Sequence, residues 1–169
     1  GVAVSPAAAA RAAQVEALAG RLLTLARAGD PKAIADQPGV GRAIALQVRD
    51  RIAADRAAWR TVVDALIAGL AHPNPRVRFE CAHALDTYAD LRARDALVPL
   101  IDDHVPRVRW MALHALACDA CKVEPPPFAE AVCTRIAERA LTDASVQVRR
   151  HATWQLSLCP PAIALQTTG

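Results

Sequence analysis

From Trp59 onward, apolar residues recur at helical spacing. Trp59, Val62, Val63, Leu66, Ile67 and Leu70 follow the i, i+3, i+4, i+7, i+8, i+11 template of a core-facing helix. The two-proline break His72-Pro73-Asn74-Pro75 ends it, and Val77, Cys81, Ala84, Leu85 and Tyr88 make a partner stripe on the next helix. The pair recurs as helices near 92–101 and 106–118, then near 127–141 and 145–158, after the insertion Glu124-Pro125-Pro126-Pro127. Upstream, Val15, Leu18, Leu22 and Leu25 stripe a helix over 6–28, with Gly29 as its stop. Asp30-Pro31 then opens a short helix, with Asp as N-cap and Pro at its first position. Pro38-Gly39-Val40-Gly41 breaks the chain again, and Val40, Ile44, Val48 and Ile52 share one face of another helix.

The second helix of each pair is a copy of the others. Asn74–Leu85, Val105–Leu116 and Ser145–Leu156 share Val-Arg, then Ala four or five residues after the Val, then Leu eight after it. Val77, Val108 and Val148 mark copies 31 and 40 residues apart, and the Pro-rich insertion accounts for most of the difference. One helix pair cannot bury its apolar stripe alone, whereas stacked pairs form a continuous core. An Asp or Asn turn, then Pro-x-Val-Arg, then Ala and Leu at fixed steps, resembles the HEAT repeat family over residues 59–158. The resemblance implies an all-α fold, a right-handed α-α superhelix of three clear pairs plus N-terminal helices. Residues 1–58 are expected to form a helical cap or degenerate repeat. The pairs are assigned to about 59–90, 91–120 and 126–159, and 160–169 to a tail.

Composition sharpens this. Hydrophobic content is 53%, but Ala supplies much of it and aromatics only 4%, which favours helices. Net charge is +3; up to residue 58 the chain has 8 basic and 5 acidic residues, and 12 of each thereafter. The neutral repeats argue against a generic polyanion binder. Basic residues are almost all Arg, which a GC-rich coding genome explains without any binding role. No stretch reaches the roughly 18 apolar residues of a membrane span, and the start lacks the basic region of a signal peptide. Five Cys spread through helical sequence suggest reduced thiols and a cytoplasmic location.

Three features bear on chemistry. The first is the Arg column. Arg76, Arg78, Arg107 and Arg109 flank their marker Val, and Arg149 and Arg150 follow theirs. The column is either an anion-binding stripe or, as the resemblance implies, a structural ladder in which the Arg after the Val pairs with an Asp of the neighbouring turn. Arg76, Arg107 and Arg149 are assigned to the ladder, with Asp86, Asp102, Asp103 and Asp143 as acceptors. Arg78, Arg109, Trp110, Arg150 and Trp154 are assigned to a partner-binding surface on the second helices, which generally line the concave face in this family. Exposed Trp beside Arg is a typical hot-spot composition.

The second feature is His114, Cys118 and Cys121, with Cys133 beyond. Two thiolates in Cys-x-x-Cys spacing make half of a zinc site, and His114 and Cys133 complete a possible ligand set. Against it, His83 occupies the same repeat position as His114, and buried Cys is an ordinary small core residue. The third is the Gly39–Gly41 turn, which resembles a helix-hairpin-helix phosphate-binding turn, with Gln37 departing from the usual apolar position. No catalytic constellation stands out, and Ser5, Ser145 and Ser157 lack a nucleophile-elbow context. Together these favour a non-enzymatic scaffold whose partner is another protein. The alternative is a nucleic-acid binder, similar to HEAT-like DNA glycosylases, using the Arg stripe and the Gly39–Gly41 turn.

Overall fold

The computed structural model describes residues 5–37, 54–86, 91–117 and 128–160, in which eight α-helices and no strand are present. Helix α1 (Pro6–Arg27) starts where the Ser5 hydroxyl accepts the Ala8 N–H at 3.3 Å. It is followed by Gly29 at φ +72°, a left-handed position that glycine adopts without strain. In α2 (Pro31–Ala35), Asp30 accepts the Ala33 N–H at 2.9 Å, as the Asp-Pro start predicts. The Gly39–Gly41 turn and the stripe from Val40 to Ile52 lie outside the described residues.

Three pairs follow. Helices α3 (Arg56–Gly69) and α4 (Pro75–Asp86) form the first. The first helix expected near 92–101 is instead a short α5 (Leu91–Leu97) that tightens into a 3-10 turn over Val98–Asp102. Pro99 is the cause, since it has no N–H to continue the α-helical ladder and clashes with the preceding turn. Its partner is α6 (Pro106–Ala117). The third pair is α7 (Glu130–Thr142) and α8 (Val146–Gln155), ending in a 3-10 turn at Leu156–Leu158.

The packing is that of a solenoid. First helices contact one another in order, from α3 through α5 and its 3-10 turn to α7, and second helices do the same from α4 through α6 to α8. Helices α1 and α2 pack on α3 at the N-terminal side. The repeat's small residue four after the marker, Cys81, Ala112 or Ala152, is fully buried at 0% exposure, which lets neighbouring backbones approach closely. The contact is closest at Gly69 of α3, where an added Cβ would strike the Cys81 sulfur. Leu85, Leu116 and Leu156, eight after each marker, are all buried.

One expectation is corrected. Cys133 on α7 and Cys159, just after the last 3-10 turn, form a disulfide with Cα atoms 5.7 Å apart, so the thiols are not all reduced. Cys81 is a free thiol, and burial pushes its pKa up to about 12, so it is chemically quiet. No described helix is long and apolar enough to cross a membrane.

Candidate functional site

Two rows of side chains separate along the second helices. Residues two positions apart on a helix point to different sides of it, so the two Arg residues flanking Val77 or Val108 part company. The Arg after the Val turns inward. Arg78 makes a bidentate pair with Asp103 of the next repeat, at 2.7 and 2.9 Å, and donates to the carbonyls of His72 and Pro73 in its own turn at 2.8 and 3.0 Å. Arg109 repeats the arrangement with Asp143, at 2.6 and 2.7 Å, and with the Asp103 carbonyl at 2.7 Å. Arg149 keeps only the bonds to its own turn, donating to the Asp143 and Ala144 carbonyls at 2.6 and 3.3 Å.

The acceptor carboxylates are themselves fixed. Asp103 also accepts the Val105 N–H, and Asp143 the Ser145 N–H, each at 2.9 Å. Burial pushes both carboxyls up, but the Arg hydrogen bonds, the backbone N–H and the Arg charge outweigh it and hold both below the usual carboxylate range.

This exchanges the two assignments made from sequence. Arg78 and Arg109, placed on the partner surface, are buried ladder members at 6% and 8% exposure. Arg76 and Arg107, placed in the ladder, point outward. Arg76 pairs with Glu80 one turn along, at 3.1 Å, and the Arg107 guanidinium lies 4.3 Å over the Phe79 ring. Arg149, also assigned to the ladder, reaches only the carbonyls of its own turn and no carboxylate among the described residues. Of the four acidic residues, Asp103 and Asp143 are the acceptors. Asp102 instead receives Arg135 and Arg139 of α7 on the first-helix side, and Asp86 is buried 3.3 Å from the His114 imidazole.

The outer row is aromatic, imidazole and guanidinium. Trp110 stacks on His114 with centroids 5.5 Å apart and touches His151 at 5.9 Å; His151 lies 5.4 Å from His114 and 5.7 Å from Trp154. Phe79 stands 6.3 Å from His83 at the other end. Burial, then the nearby His114, lowers the His151 pKa despite the Asp86 charge, so His151 is neutral at pH 7. Two open grooves of about 670 and 650 Å³ flank this row and share Phe79 and Arg107 as a common wall. Trp154 is 49% exposed, unusual for so large a ring.

Phe79, His83 and His151 were not singled out as surface residues from sequence. The signal was present: two after each marker stand Phe79, Trp110 and Arg150, and six after it His83, His114 and Trp154, all off the buried stripe. The four candidate zinc ligands are not brought together within the described residues. Cys118 and Cys121 lie outside them, Cys133 has its sulfur committed to Cys159, and His114 faces Asp86.

The Arg–Asp ladder, the paired helices and the small-residue contacts define a class before any comparison, an α-α solenoid of short repeats. Residues 33–117 and 63–157 match the model of HEAT repeats, and the chain belongs to that family. The match reaches back to residue 33, into the segment expected to be a cap or degenerate repeat. No characterised protein and no solved structure matches the chain at significant similarity.

Proposed function

We propose that this chain is a scaffold rather than an enzyme, and that it holds another protein against the outer row of its second helices. Arg107, Trp110, Arg150 and Trp154 are the contact residues, with Phe79 as the floor between the grooves. The observation that carries this reading is the contrast between the rows: Arg78 and Arg109 are consumed by the fold, while Arg107 and Arg150 have no hydrogen bond or ion pair among the described residues. An exposed Trp beside unpaired Arg is the composition of a binding hot spot, and nothing in the packing of the repeats requires it.

The nucleic-acid alternative keeps only those two of the six Arg, and its Gly39–Gly41 turn lies outside the described residues. For the compartment, the odd and dispersed cysteines favour the cytoplasm and the Cys133–Cys159 pair favours an oxidising setting. Alkylating the protein at the moment of isolation distinguishes them. The function is tested by cross-linking the tagged chain in its own cells. The double variant Arg107→Ala/Trp154→Ala, shown to melt like the wild type, is expected to lose the cross-linked protein; its retention contradicts the proposed face.

A further inference from the structure

Resting on that reading, we infer that the segment bound on this face is a short acidic peptide that lays carboxylates on Arg107 and Arg150 and an apolar side chain between Phe79, Trp110 and Trp154.

The charge pattern gives the sign. The groove bounded by Phe79, Trp110 and Arg150 has Arg107 and Arg150 on its walls and no carboxylate among the described residues that line it. Among the described residues lining the adjoining groove the single acid is Glu80, already engaged by Arg76 at 3.1 Å. Elsewhere on the second helices every Arg is neutralised by a carboxylate or bound to turn carbonyls. Arg107 also sits in the first turn of α6, where the helix dipole disfavours a cation, and no acidic residue shares that turn. Among the described residues the positive charge there is uncompensated, and an incoming carboxylate compensates it. His151 adds no charge at neutral pH, so the field comes from the two Arg.

The same features give the class. Two unpaired Arg are too few for a polyanion, whose affinity grows with the number of phosphates neutralised. They suit two carboxylates of a peptide, each accepting two N–H bonds from a planar guanidinium fork. The rings between them are aromatic edges and faces, and the grooves, at about 670 and 650 Å³, accept side chains.

The test is selection from a display library of randomised dodecapeptides on the full chain, read by sequencing. Enriched peptides are expected to be acidic, with an aromatic or branched apolar residue between the acids. Their affinity should fall at least tenfold on Arg107→Glu/Arg150→Glu and by less on Arg107→Lys/Arg150→Lys, which keeps the charge but loses the fork, with circular dichroism and melting confirming both folds. Enrichment of neutral or basic peptides on this face overturns the acidic partner and leaves the scaffold reading standing. Enrichment of nothing, or of peptides indifferent to both variants, overturns both. A single-stranded 20-mer DNA that outcompetes the best peptide overturns the peptide in favour of nucleic acid.

Discussion

Arg109 on α6 and Asp143 at the turn before α8 face each other through two parallel hydrogen bonds, Nε to Oδ2 at 2.6 Å and Nη2 to Oδ1 at 2.7 Å, with both side chains buried. This single relationship locks two repeats together, because Asp143 simultaneously orders the turn that starts α8. Truncating Arg109 removes both hydrogen bonds from a buried carboxylate and leaves it only Arg139, at 3.7 Å, as counter-charge. Arg109→Ala is therefore expected to cost about 3 kcal/mol or more in urea unfolding. Arg107→Ala, two residues away but exposed, is expected to change stability by no more than about 1 kcal/mol. Equal losses would contradict the separation of the two rows.

Acid stability has two windows with opposite-signed groups. Asp103 and Asp143 have folded pKa values below the usual carboxylate value of 3.8. Their stabilisation is complete above that value and is lost as pH falls through the lowered folded values. His151 is a base whose folded pKa is lowered from 6.5, so the unfolded chain takes up its proton first. Its effect is absent at high pH and becomes a loss of stability as pH falls below about 6.5, levelling off below the folded value. Melting temperature against pH is thus expected to decline in two steps. His151→Asn should flatten the upper step and leave the lower one; an unchanged upper step would assign it to another group.

The Cys133–Cys159 bond closes a loop of 26 residues' separation around α7 and α8. By loop-closure entropy, reduction or Cys133→Ser is expected to cost about 3 kcal/mol. Mass spectrometry of protein alkylated without reductant checks it: both cysteines should stay unlabelled until reductant is added. Immediate labelling of Cys133 in the folded protein would remove this staple from the account.

Gly69 has no room for a side chain against the Cys81 sulfur of the facing helix. Gly69→Ala would raise helix propensity in isolation, yet here overpacking is expected to win and lower stability by about 1–3 kcal/mol. Adding Cys81→Ala should recover part of that loss, a coupling that a double-mutant cycle reads directly. A stabilising Gly69→Ala would mean the α3–α4 contact is looser than described.

Most of the architecture was legible in the chain. Val, Ala and Leu at fixed steps placed the second helices to within about three residues, Pro75 and Pro106 marked the starts of α4 and α6, and Asp30 that of α2. The direction of the Arg residues was misassigned because two flanking Arg look alike in a linear pattern, although a helix sends them to different sides. The deciding signal sits in the next repeat: Asp103 and Asp143 each stand five before their marker Val, where the first repeat has His72. The disulfide was illegible for a different reason. Cys133 and Cys159 occupy no shared repeat position, and only the fold of the last pair brings them together. The switch at Pro99 was visible as a proline and passed over as part of one helix.

The central claim is that the Arg after each Val builds the solenoid and the outer Arg–aromatic row binds. It is tested most directly by measuring one peptide's affinity, by fluorescence anisotropy, for three variants that each melt like the wild type. The ligand is the tightest dodecapeptide from the selection described above. The account predicts at least a tenfold loss, about 1.4 kcal/mol, for Arg107→Ala/Arg150→Ala and for Trp154→Ala. It predicts no change for Arg60→Ala, an exposed Arg on the first-helix layer. Equal affinity across all three, or a loss with Arg60→Ala alone, would contradict it.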